Sequence, residues 1–199
     1  MFSLKEGQRL VEIARKELDA YFKGQEQEKW DIKGFDKRLG VFVSLHSYPE
    51  KELRGCVGFP VAHMPLWKAV KEAAKAAAFE DIRFLSLTKE ELDKIIIEIS
   101  VLTKPELIEK ENQEDIVAEI EIGKDGFILE YSGFSGLFLP QVPIEQKWNI
   151  RQYLENLCIK AGVSPKTWTN KSCKIYKFQA QIFSEQAPKE KAKEVKLKS

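Results

Sequence analysis

Six consecutive residues, Leu53-Arg54-Gly55-Cys56-Val57-Gly58, bring a guanidinium, a thiol and two glycines together. Side chains alternate along a strand, so Leu53, Val57 and Phe59 point to one side and Arg54, Cys56 and Gly58 to the other. The first set reads as core. The second sets a cation beside a thiol and leaves space at Gly58 for a small ligand. A structural reading is equally open, with Cys56 a small buried hydrophobe and the glycines marks of a bulge or of tight packing.

A reactive thiol needs a lowered pKa and access to solvent. Arg54 would supply the first. The two histidines, His46 and His63, are the candidate bases, and a Cys–His pair is the minimal unit for acyl or alkyl transfer through a covalent intermediate. As structural residues they would be a polar strand end and a loop residue. Asp81 and Arg83 flank Ile82 and read either as an ion pair holding a loop or as an extension of a polar cleft. Glu145 reads as an acid/base group or as a charge favoured by a helix N-terminus. Cys158 falls on an apolar helix stripe and reads as core, and Cys173 leans structural. There is no zinc cluster, phosphate loop, G-x-G-x-x-G or G-x-S-x-G motif, so neither metal nor cofactor is expected.

The elements that must position these residues follow from pattern. Ser3 and Glu6 form a capping box for a helix over 3–23, striped by Leu10, Val11, Ala14 and Leu18 and ended by Gly24. Segment 24–36 is a polar connection anchored by Trp30. Val41, Val43 and Leu45 alternate in a strand that turns through residues 46–51 into the Arg54/Cys56 strand. If Val43, Leu45, Leu53 and Val57 are all core, parity sets Ser44 near Cys56 and His46 near Arg54. Pro65 opens an alanine-rich helix, and Thr88 with Glu91 caps a short one. Ile95–Leu102 reads as a strand buried on both faces. A second hairpin is expected over 119–131, turning at 123–126, then a short strand over 136–142. Asn149 caps a helix to Ala161, and a last strand runs through Tyr176, Phe178, Ala180 and Ile182. The mixture is α+β, with a mixed, largely antiparallel sheet and packed helices.

At 199 residues the chain can bury one good core or two small lobes. No apolar run reaches the length of a transmembrane helix, and the N-terminus shows no secretory signal. Three cysteines without C-x-x-C spacing suit a reducing cytosol. Lysine and glutamate dominate the charges, as in heat-adapted proteins. The net charge is +1, but the stretch 187–199 holds five lysines and two glutamates, leaving 27 cationic against 29 anionic residues elsewhere. A near-neutral body lacks the basic face of a nucleic-acid binder, which ranks RNA binding last. Residues 1–186 are expected as one domain and 187–199 as a flexible lysine-rich tail.

The hexapeptide resembles the hallmark of the AMMECR family. The similarity continues through Asp81 with Arg83-Phe84, Ser100-Val101-Leu102-Thr103, Ile122-Gly123-Lys124, Leu137-Phe138-Leu139-Pro140-Gln141-Val142, and Leu157-Cys158 with Lys160-Ala161-Gly162. It implies two unequal subdomains with a cleft near the hallmark, without a settled activity, and an association with radical-SAM and Memo-like proteins. Arg54, Gly55, Cys56, Gly58, Asp81, Arg83, Gln141 and Glu145 match the family pattern. Ile82, Asp125 and Ser135 depart from it, standing where proline, histidine and arginine are usual.

The resulting expectation is a cytosolic enzyme or ligand-handling protein acting on a small anionic molecule. Cys56 would be the thiol, and His46 or Glu145 would move protons. Arg54, with Gly55, Gly58, Asp81, Arg83 and Gln141, would hold the ligand. The competing expectation is a non-catalytic adaptor for the radical-SAM or Memo-like partners.

Overall fold

The computed structural model describes residues 1–25, 34–61, 63–109 and 112–197. The Trp30 anchor lies outside them. The chain divides into two compact units. One comprises Met1–Leu102 with Gln181–Lys196, and the other is built on Thr103–Ala180.

In the first unit the helix α1, Leu4–Lys23, is closed at its start by the Ser3/Glu6 capping box and at its end by Gly24 in the left-handed conformation. Strands β1, Val41–Ser47, β2, Leu53–Phe59, and β3, Ile95–Leu102, pair antiparallel in the order β2-β1-β3. Val41, Val43 and Leu45 face Val101, Ile99 and Ile97, and these six residues are buried. The helix α2, Leu66–Phe79, adds Leu66, Ala69, Val70, Ala73 and Ala77 to the same core, beside Leu10, Ala14 and Leu18 of α1. The alanines allow close packing, as the composition of that stretch predicts. A single turn, α3 over Lys89–Leu92, carries the Thr88/Glu91 capping box.

The second unit has its own core of Phe127, Leu129, Tyr153, Leu154, Leu157, Cys158, Trp168, Cys173 and Ile175. A two-residue strand β4, Glu106–Leu107, pairs with β7, Lys174–Ser184. The hairpin differs from expectation. Strand β5, Asp125–Tyr131, pairs with β6, Phe134–Phe138, across Ser132 and Gly133. Both residues have positive φ, 50° and 85°, as a type I′ turn requires. Residues 121–125 instead lead from a short 3-10 helix, Gln113–Glu119, into β5. The turn α4, Val142–Glu145, follows β6, and Asn149 caps α5, Ile150–Lys160.

The expected flexible tail is corrected in part. Residues Lys193–Val195 form β8, paired with Ile182–Ser184 of β7, and Ala192 is buried. A lysine-rich stretch can do this because Lys193 and Glu194 both stay exposed on the strand.

One buried charge network ties the first unit together. The Arg15 guanidinium pairs with the Glu185 carboxylate and donates to the carbonyls of Leu92 and Ile95, each at 2.8 Å. Glu185 also accepts the Ile97 N–H at 2.8 Å. Both residues are almost fully buried, at 6% and 2% exposure, so removing one partner strands the other charge. Arg15→Ala is predicted to lower the unfolding free energy by about 3–5 kcal/mol. Urea titration of the variant against wild type checks this; a loss below about 1 kcal/mol would mean the charge finds water instead.

Candidate functional site

The hallmark strand lies where the hairpin pattern places it, but its chemistry differs from expectation. In the β1–β2 register Val43 faces Val57, Ser44 faces Cys56 and Leu45 faces Gly55. The ladder then slips, so that His46 faces Leu53 and Arg54 has no opposite residue. Ser44 is therefore beside Cys56 as parity predicts, while His46 is not opposite Arg54. The same slip leaves Leu53, expected in the core, 39% exposed.

Both glycines of the hallmark are required by packing. A Cβ at position 55 would lie 2.1 Å from the carbonyl oxygen of Ala77 in α2. A Cβ at position 58 would lie 2.3 Å from the carbonyl oxygen of Val41 and 2.5 Å from the Phe42 ring. The space expected at Gly58 is thus filled by Phe42. At both positions the absence of a side chain is what lets backbone and ring approach this closely.

The Ser44 hydroxyl donates to Cys56 Sγ at 3.2 Å. Burial pushes the thiol pKa up, and the Ser44 hydrogen bond and the Arg83 charge only partly oppose this. This corrects the expected lowering by Arg54, whose guanidinium is engaged elsewhere. Arg54 grips Glu91 with two hydrogen bonds, at 2.8 and 3.2 Å, and reaches the Ser86 carbonyl at 3.4 Å. It also lies over the Phe84 ring, 5.9 Å from its centroid. Glu91 is held below the usual carboxylate range, chiefly by the hydrogen bond from Arg54.

Asp81 and Arg83 follow the first sequence reading, an ion pair that holds a loop. Together they grip the Cys56 peptide. Asp81 Oδ2 accepts the Cys56 N–H at 2.9 Å, and Arg83 Nη2 donates to the Cys56 carbonyl at 3.3 Å. The hydrogen bonds from Arg83, helped by the Cys56 N–H, lower the Asp81 pKa to about 2. Arg83 is half-exposed.

His46 is on the Ser44 side of the sheet. Burial lowers its pKa, and its Nε2 is buried without a partner among the described residues. His63 is exposed. Gln141 and Glu145 belong to the second unit. Gln141 precedes α4 with its Oε1 buried and unpartnered among the described residues, and burial raises the Glu145 carboxyl. Cys158 and Cys173 are buried in that unit's core, and burial pushes the Cys173 thiol up to about 12.

Two polar residues of this face were missed from sequence. Glu98 faces Ser44 across β1–β3, so Cys56, Ser44 and Glu98 form one row over three strands. Ser100 faces Phe42 in the next row, 1% exposed, with its Oγ unpartnered among the described residues. The available signal was Glu98 itself, the sole charge in the run Ile95–Leu102. The departures from the family pattern are tolerated locally. Ile82 is fully exposed, Ser135 sits exposed opposite Glu130, and buried Asp125 accepts the Glu121 N–H at 2.9 Å. Among the described residues no cluster suits a metal ion, and no helix is long and apolar enough to cross a membrane.

The Asp81 grip gives a pH signature. A carboxylate whose pKa is lower folded than unfolded stabilises the fold above its unfolded value near 4, and that contribution is lost as pH falls towards 2. Wild type is therefore predicted to exceed Asp81→Asn in stability at pH 5, with the gap closing between about pH 4 and pH 2. Thermal unfolding of both across that range checks it; a pH-independent gap would contradict the charge's role.

The chain is similar to known proteins over nearly its whole length. The AMMECR1 family model matches residues 11–183. Protein MJ0810 of Methanocaldococcus jannaschii is 44% identical over 99% of this chain and 98% of its own. An Aquifex aeolicus protein is 40% identical over 95% and 97%. The crystal structure of the uncharacterized protein PH0010 from Pyrococcus horikoshii superposes with a TM-score of 0.91 at 41% identity, covering 96% of this chain and 97% of that one. Those names carry no reaction, so the likeness brings a family and a fold without an activity. With the matched model spanning both units and relatives of 40–44% identity over nearly the whole chain, the chain belongs to the AMMECR1 family.

Proposed function

We propose that this protein binds a small molecule, without forming a covalent intermediate, on the sheet face that carries Cys56, Ser44 and Glu98, and does so in the cytoplasm. The observation that carries this reading is a pair of buried polar atoms on that face, His46 Nε2 and Ser100 Oγ, with no partner among the described residues. Buried polar atoms are otherwise nearly always hydrogen-bonded, and an unpartnered pair on one polar face is what a bound molecule would satisfy. In this reading Cys56 is a protonated thiol that takes part in hydrogen bonding. Arg83 takes over the cationic role expected of Arg54, because its guanidinium is half-exposed and stands beside the Cys56 peptide. A nucleophilic role for Cys56 finds no support in a thiol whose pKa is raised by burial.

The adaptor reading is favoured by a different observation. Ile82 and Leu85, on the segment that carries Arg83, are 100% and 87% exposed. Large apolar side chains held in water on one short segment suit docking to another protein. Radical-SAM and Memo-like proteins are the partners to try, and co-purification that survives Cys56→Ser but fails with Leu85→Asp would mark this role.

The ligand reading is tested by a thermal-shift screen of small anionic metabolites against wild type, Ser44→Ala and Arg83→Ala. A true ligand at about 100 times its Kd adds about 2.7 kcal/mol to wild type. The predicted result is a compound whose shift is lost in both variants. Compounds that shift all three proteins equally would sink the reading.

A further inference from the structure

The sheet of the first unit ends at β2, whose strand neighbour among the described residues is β1 alone. The outer side of an edge strand offers N–H and C=O groups that can template another strand. At Cys56 both outward groups are taken, by side chains in place of a strand. Asp81 Oδ2 accepts the N–H at 2.9 Å, and Arg83 Nη2 donates to the carbonyl at 3.3 Å. An acceptor and a donor two residues apart offer the same pairing that the backbone of an antiparallel neighbour would.

The segment carrying them is tied down at both ends. The Glu80 N–H bonds the Ala76 carbonyl and the Leu87 N–H bonds the Ala78 carbonyl, each at 2.8 Å. Between those ties the hydrogen bonds to β2 run through side chains, Asp81 and Arg83 to Cys56 and Arg54 to Ser86, and beyond Leu87 Arg54 also holds Glu91. The edge is thus guarded by charged side chains, with Arg83 half-exposed and Leu53 beside it 39% exposed.

We propose that the Asp81–Arg83 pair is a cap that stops β2 from pairing with β2 of a second copy of this chain. The occupant is a second copy because two identical edges related by a two-fold axis form an antiparallel ladder, in which each strand offers what the other needs. The cap shares Arg83 with the proposed ligand site, but its readout, mass against protein concentration without ligand, is separate from binding.

Sedimentation velocity of Asp81→Ala/Arg83→Ala against wild type, from micromolar to millimolar protein, tests this. The double variant is expected to gain mass with concentration towards about twice that of wild type. A double variant with wild-type circular dichroism and wild-type mass throughout overturns the proposal. Should the double variant misfold, Arg83→Ala alone, at a half-exposed side chain, is read by the same criteria.

Discussion

The carbonyl of Ala77 occupies the place where a side chain at position 55 would begin. That contact sets the distance between α2 and the sheet, and much of the first unit follows from it. A helix held this close needs small residues on its inner face, and α2 supplies Ala69, Ala73 and Ala77. Its last turn is thereby fixed over β2. Four residues beyond Ala77 the chain delivers Asp81 to the Cys56 N–H, and two residues later Arg83 to the Cys56 carbonyl. A larger residue at 55 would push the helix away and both of these partners with it.

The same constraint changes what the cysteine can do. With α2 packed on one side of β2 and the Phe42 ring over Gly58 on the other, the thiol sits in partly dry surroundings beside a hydroxyl. Dry surroundings disfavour a thiolate, and the carboxylates of Asp81 and Glu98 push the same way. The cations that would favour a thiolate are largely committed. Arg54 is held by Glu91, and most of Arg83 is turned to Asp81. The charge beside the sulfur therefore has a packing role here: the arginine ties β2 to the cap of α3, and the cysteine peptide is the anchor for Asp81 and Arg83.

Much of this fold was legible from residue pattern. The capping boxes at Ser3, Thr88 and Asn149 mark three helix starts correctly, because a cap is a local interaction. The α+β class and the Ser44–Cys56 neighbourhood follow from period-two alternation. The pattern fails where long-range packing decides. The slip at Leu45/His46 moves His46 off Arg54, and no local residue announces it. Gly123 and Gly126 look like a hairpin turn, yet Ser132 and Gly133 make it, since Ser132 accepts a positive φ at a two-residue turn. In the site, Glu91 as the partner of Arg54 and Phe42 as the filler of Gly58 lie 37 and 16 positions away from what they meet, beyond the reach of spacing arguments.

The central claim is that the hallmark cysteine is a protonated, hydrogen-bonded packing residue. Its most direct test is a carbon-13 NMR titration of the Cys56 Cβ in a Cys158→Ala/Cys173→Ala background. The account predicts an apparent pKa above the ordinary thiol value of about 8.5. A thiolate already formed at neutral pH would contradict it.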